Sequence, residues 1–229
     1  MRHASPLALA ALSALSLAAC HPVRMAVPAD LHDDVMNVSR SDGLFRAGRL
    51  AFGGYYAREI HHGWTFSEST RIWNAEETAS SQKFRFDFGE SGSVADKVRC
   101  ESVYASQGMH FGGLTLQRGR HGLGCNLYRA DGAPEGQLVM TERERERPYG
   151  QLVRDGVVVE LIASGRFEGG RVETFEPVGF DLLVGGVQVG AVQVMNGGQV
   201  WIERNAPADV QAAAAVAAAT LLLYQPLEG

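Results

Sequence analysis

The sequence predicts a mainly β protein: about 11–14 short antiparallel strands forming a closed or nearly closed barrel around one C-terminal hydrophobic α-helix, at about residues 207–224. Three observations predict it. Apolar and polar residues alternate from Leu44 to Arg204. Turn-forming pairs interrupt the alternation at short intervals. The alternation then gives way to an Ala-rich run that is apolar on every side.

"KFRFDFG" (Lys83 to Gly89) is the clearest strand. Phe84, Phe86 and Phe88 face one way, and Lys83, Arg85 and Asp87 the other. The same reading applies to Arg49–Phe52, Gly54–Ile60, Trp64–Glu68, Thr70–Asn74, Lys97–Ala105, Leu114–Arg118, Gly124–Arg129, Gln137–Glu142 and Gly150–Arg154. It continues through Val157–Ile162, Arg171–Phe175, Phe180–Val184, Val187–Val194 and Gln199–Arg204. Asp131-Gly132, Asp155-Gly156, Gly169-Gly170, Gly185-Gly186 and Asn196-Gly197-Gly198 supply hairpin turns, so the late part is an antiparallel meander.

Pro207 suits the first turn of a helix, Asn205 can cap it, and Asp209 complements its dipole. From Pro207 to Tyr224 such a helix is about 27 Å long, and its uninterrupted low-polarity run, Ala212 to Leu223, is about 18 Å. Spanning a bilayer takes roughly 20 apolar residues and 30 Å. A helix this short, yet apolar all round, is expected inside the domain, enclosed by the strands. Its Ala side chains make it slim, and a barrel of about eleven strands has room for a central helix.

In that order and length, carried by "FDLLVGGVQVGAVQV", "QVWIERN" and "ADVQAAAAVAAATLLLY", residues 43–226 resemble the tubby and phospholipid-scramblase superfold. The resemblance implies about twelve antiparallel strands around a C-terminal helix. No residue-level motif of those families matches, so no site residue is carried over.

The first nineteen residues read as a signal peptide, with Arg2 and His3 before an apolar stretch from Leu7 to Leu17. Leu17-Ala18-Ala19-Cys20 resembles the lipobox of bacterial lipoproteins. That resemblance implies cleavage before Cys20, a diacylglyceryl thioether on its sulfur and an acyl chain such as palmitate on its amine. Such chains hold a protein stably on a bilayer. His21 in place of Asp favours the outer membrane, facing the periplasm, over the outer face of the inner membrane. Residues 20–42 read as the lipidated N-terminus and a flexible tether, and 43–229 as a single domain.

Of three cysteines, Cys20 is assigned to lipid. Cys100 and Cys125 are then an even pair in an oxidising compartment, and a disulfide is expected. Removing residues 1–19 takes one of 21 basic residues and none of 26 acidic ones, leaving 20 against 26, a net charge of −6. That balance gives no footprint for nucleic acid.

Motifs for nucleophilic, zinc-hydrolase, phosphate-loop or dinucleotide chemistry are absent, and no cofactor or metal is expected. His61 and His62 are adjacent and so face opposite sides of a strand, which prevents a shared metal. His110 and His121 flank the Cys125 hairpin and read as exposed. "ERERER" places Arg143, Arg145 and Arg147 on one face, a candidate anion-binding row, or else a charged edge that blocks aggregation. Tyr55, Tyr56, Trp64, Trp73 and Trp201 are core residues or, if exposed together, a binding surface. The expected role is a non-catalytic binding or scaffolding module of the envelope, held on the bilayer through Cys20, with an envelope protein as partner. The competing expectations are an enzyme assembled from scattered groups such as Glu59, His61, His62 and Glu160, and a lipid-interacting barrel.

Overall fold

In the computed structural model, residues 23–43, 46–72, 75–90, 93–111, 114–143 and 146–227 are described. The signal peptide, Cys20, Trp73 and Arg145 lie outside them. The fold is a 13-stranded antiparallel sheet that curls into a nearly closed barrel, with one helix inside. The strands are β1 (Val35–Asn37), β2 (Ser39–Gly43), β3 (Arg46–Phe52), β4 (Tyr55–Ile72), β5 (Ala75–Glu90), β6 (Ser93–Phe111) and β7 (Leu114–Arg129). They continue as β8 (Pro134–Arg143), β9 (Tyr149–Arg154), β10 (Val157–Ser164), β11 (Gly179–Val184), β12 (Val187–Gln193) and β13 (Gln199–Ile202), and helix α1 spans Ala208–Leu223.

Each strand from β2 to β13 pairs with its neighbours in chain order, and the last neighbour of β13 is β1. Val38 alone separates β1 from β2, so residues 35–43 act as one extended segment. Its first half pairs with β13 (Val35 opposite Trp201) and its second with β3 (Arg40 opposite Leu50). That segment brings the two ends of the meander together, which is how the sheet avoids long open edges.

The core is the inside of the barrel. Leu50, Phe84, Phe86, Val98, Leu123, Leu138, Leu152, Leu161, Leu182 and Val200 point inward from nine strands onto α1. From Ala213 to Leu223 every helix residue is buried, whichever way it faces. An interior site for so apolar a rod removes it from water on all sides. Pro207 holds the N-cap position without a side-chain cap, and the expected role for Asn205 is not realised. Gln211 instead donates to the Arg204 and Ala206 carbonyls. The expected disulfide is present between Cys100 and Cys125, which sit opposite each other on β6 and β7 inside the barrel.

Three expectations change. The tether is part of the fold from Val23 onward: a 3-10 helix at Ala29–Asp34 precedes β1, and Met25 and Leu31 are buried against Val178, Ala191 and Trp201 outside the barrel wall. Arg204 pairs with Asp34 at 2.7 Å and holds that segment down. The tether reading missed it because two buried apolar side chains in twenty residues set no period. Second, Arg171–Phe175 is not a strand; Thr174 folds back on the Gly165 carbonyl through both its N–H and its hydroxyl. Third, not all strands are short. Gly54–Ile60, Trp64–Glu68 and the start of Thr70–Asn74 are one strand, β4, whose breaks are β-bulges at Arg58/His61 and His62/Thr65. Leu114–Arg118 and Gly124–Arg129 likewise join as β7.

Candidate functional site

The helix ends below the top of the barrel, because β4–β7 run on well past it. Its last carbonyls lack intrahelical partners. Arg40 on β2 donates to the Leu222 carbonyl at 2.7 Å, and the His62 ring on β4 lies 3.3 Å from the Leu223 carbonyl while stacking on Phe84. A cation at a helix C-terminus also offsets the dipole. Around this end opens a cavity of about 460 Å³. Arg40 and His62 supply its polar wall and Leu50, Ile60 and Leu222 its apolar wall, while Arg49 lines it but turns its guanidinium over Tyr56.

Tyr224, the residue after the helix, lines the same cavity and leads to a second group. Tyr104 on β6 is opposite His121 on β7, which is opposite Glu142 on β8. The Tyr104 and His121 rings lie 4.7 Å apart. Ser102 precedes Tyr104 on the same inward face and is 1% exposed. Burial pushes the Glu142 carboxyl above the usual carboxylate range, opposed by His121. Burial, and secondly the charge of Glu142, pushes the Tyr224 hydroxyl up to about 12. His121 Nδ1 is buried without a hydrogen-bond partner, and Ser102 Oγ and Tyr224 Oη, close enough for Ser102 to temper the rise at Tyr224, have no partner beyond each other. Buried polar atoms cost free energy when left unpaired, so this cluster has unused hydrogen-bonding capacity next to the residue that lines the cavity.

A second polar cluster plugs the other end of the barrel. Arg154 on β9 bridges Asp96 at 3.1 Å and Glu135 at 3.2 Å, with side chains 0% and 5% exposed. Burial, then the neighbouring Asp96, pushes the Glu135 carboxyl up to about 8.

The residues singled out in the sequence are dispersed. β8 ends at Arg143, and Arg147 lies beyond it, paired with Glu173 at 2.5 Å, so Arg143 and Arg147 do not form a row on one strand. His61 faces away from His62 and pairs with Glu59 at 3.7 Å, whereas Glu160 lies on β10, across the barrel. The four groups of the scattered-enzyme reading do not converge. Tyr56 and Trp201 are buried, but Trp64 and Phe66 stand 86% and 73% exposed on β4. Among the described residues no cluster of three His, Cys, Asp or Glu can hold a metal, and no helix is long and apolar enough to cross a membrane. His121 read as exposed and is half-buried between Tyr104 and Glu142. Its partners sit on other strands, and only their register, which no motif records, brings them together.

The chain matches no protein-family model, no curated protein and no solved structure.

Proposed function

We propose that the chain is a lipid-anchored, periplasm-facing lipoprotein of the outer membrane, and that its barrel mouth binds an amphipathic anion without chemical conversion. The observation that carries the binding role is the cavity at the helix end, where Arg40, His62 and Tyr224 meet an apolar wall, with the buried, unpartnered His121 Nδ1 in the group that Tyr224 joins to it. Arg40 and His62 supply positive or hydrogen-bonding groups, and Leu50, Ile60 and Leu222 supply apolar contact, the mixture that suits a charged head on a hydrocarbon body. The anchor is carried by Leu17-Ala18-Ala19-Cys20. The resemblance to the barrel-with-helix superfold agrees with the strand count and the enclosed helix.

The test uses the full chain expressed with its own N-terminus. Intact mass is expected to lack residues 1–19 and to carry diacylglyceryl and acyl groups; an unmodified Cys20 refutes the anchor. Native mass spectrometry of the detergent-extracted protein is expected to retain an amphipathic anion, and Arg40→Met to lose it. Equal retention by Arg40→Met and by the outer-wall variant Arg58→Met, whose guanidinium lies over Tyr56, refutes a site at the mouth.

A further inference from the structure

Val23 is already held by the domain. Asn196, in the loop after β12, donates to the Val23 carbonyl at 2.8 Å, and Gln193 accepts from the Met25 N–H at 2.7 Å. Cys20 precedes Val23 by three residues, a reach of at most about 10 Å. The same segment is bonded to the loop between β10 and β11. Met25 forms an antiparallel bridge with Phe167, the Ala26 N–H donates to the Arg166 carbonyl at 3.0 Å, and the Glu168 N–H donates to the Arg24 carbonyl at 2.9 Å. Farther along that loop, the Val178 carbonyl accepts from the Val194 N–H at 3.1 Å. Three segments, 23–26, 165–178 and 194–198, are thus tied into one unit. A Cβ on Gly198 would lie 2.7 Å from Leu222 Cδ2, which places the unit at the end of the barrel where α1 stops.

Each of the three segments exposes an apolar side chain. Val172 is 77% and Phe175 70% exposed in the β10–β11 loop, and Val23 and Met195 are exposed in the other two. Met25 and Val178, in the same segments, are buried against Trp201, so the unit has its own apolar contacts and these four stand outside them. The two residues between Val172 and Phe175 are polar, and both are bonded to the protein. Glu173 pairs with Arg147 and Arg166, and the Thr174 hydroxyl donates to the Gly165 and Glu176 carbonyls. A loop that meets only water ordinarily presents its polar side chains and covers its apolar ones. Here Val172 and Phe175 face out on either side of a polar pair that is held back.

We propose that this three-segment unit seats on the bilayer that holds Cys20, with Val172 and Phe175 dipping into the headgroup layer. The proposal rests on the reading of Cys20 as lipidated, and it adds what an anchor alone does not give, a fixed orientation. The polar layer on each side of the hydrocarbon core is roughly 5–8 Å thick. A reach of at most about 10 Å therefore leaves Val23 only a few ångströms clear of that layer, and the residues bonded to it share its height. So narrow a gap leaves no room for another protein, and lipid is the occupant the distance favours. An exposed valine and phenylalanine held there leave water by dipping, as apolar side chains of interfacial segments do. Arg171 and Glu176, exposed on either side of the stretch, stay at headgroup level. Val194, in one of the seated segments, also lines the cavity at the helix end, so seating sets that cavity beside the membrane, the source of an amphipathic guest.

The test uses the full acylated chain reconstituted into vesicles of phosphatidylethanolamine and phosphatidylglycerol, without reductant. Phe175→Cys is labelled with an environment-sensitive NBD fluorophore, and Val172→Cys, in the same loop, is a second reporter. Val187→Cys, likewise exposed but at the start of β12 and so at the opposite end of the barrel, is the aqueous reference. Labels at 172 and 175 are expected to brighten several-fold, shift to the blue and be quenched by spin-labelled lipid, while the label at 187 is not. Labels at 172 and 175 as water-exposed as that at 187 overturn the seating, as does shielding that the lipid quencher does not reach, which would place protein on the loop. Intact mass of the same sample separates the two readings: acylated Cys20 with a wet loop refutes the seating alone, and unacylated Cys20 refutes the anchor and the seating with it.

Discussion

Val216→Glu tests the enclosed helix directly. Val216 is 0% exposed, as are Ala213, Ala214, Ala215, Ala217, Ala218 and Ala219 around it, so the new side chain has no route to water. Losing the buried valine costs about 1.5–3 kcal/mol. If the acid stays protonated, its unpaired polar group costs about 1–3 kcal/mol and the overpacking about 1–3 kcal/mol more. The total is about 4–9 kcal/mol, against a whole-domain stability of about 5–15 kcal/mol. An ionised carboxylate costs more still. Urea unfolding followed by circular dichroism is expected to give a protein unfolded without urea or with a greatly lowered midpoint. Asp209→Ala, in the exposed first turn, is the control; it loses a dipole interaction of about 0.3–1 kcal/mol. A Val216→Glu midpoint no lower than that of Asp209→Ala would refute enclosure.

Reducing the Cys100–Cys125 bond, whose ends are 25 residues apart, is expected to lower unfolding stability by about 3.5 kcal/mol on the chain-entropy account, read as a midpoint drop with reductant. Glu135, pushed up to about 8 by burial and Asp96, makes stability depend on pH. A carboxyl raised in the fold contributes stability that is full below its ordinary value and is lost as pH rises through the folded value. The melting temperature is therefore expected to fall from about pH 5 to about pH 9, and Glu135→Gln to flatten that slope; an equal slope in the variant refutes the assignment. Gly198 has φ +90°, and a Cβ there would lie 2.7 Å from Leu222 Cδ2, so Gly198→Ala is expected to cost about 1–3 kcal/mol in urea unfolding. Arg40→Met removes the donor to the Leu222 carbonyl and is expected to cost about 1–3 kcal/mol; an unchanged midpoint would mean water caps that carbonyl equally well.

The class of fold was legible because period and length are local properties. Phe84, Phe86 and Phe88 announced an inward face, and the run from Ala212 to Leu223 was too short to span and too apolar to lie exposed. The disulfide was legible from the parity of the cysteines left once Cys20 is set aside, given the expected compartment. The length of β4 was not, because its two bulges shift the alternation between Arg58 and Thr65 and imitate strand ends. Closure was illegible for a different reason: it depends on Val35–Gly43 pairing with strands at both ends of the chain, and nothing within that segment names its partners. The mouth suffered the same way, since Arg40, His62, Ser102, His121, Glu142 and Tyr224 come from five strands and a helix end.

The inner lining nevertheless records where the helix stops. Along β5 the inward residues run Phe88, Phe86, Phe84 and then Gln82, Ser80; along β6, Val98, Cys100 and then Ser102, Tyr104, Ser106; along β7, Leu127, Cys125, Leu123 and then His121. All three change from apolar to polar just above the level of Phe84, which stacks on the His62 that meets the Leu223 carbonyl. The buried stretch Ala213–Leu223 is about 16 Å long at 1.5 Å per residue, and Phe84 to Phe88 covers about 13 Å of strand, so rod and lining are matched in height. Below the helix end an inward polar group would be desolvated against alanine without a partner, which costs free energy. Above it there is no rod to pack, and an inward apolar side chain would gain nothing from the helix. The length of α1 thus sets the floor of the mouth, and the polar residues above that floor are released from packing against the helix.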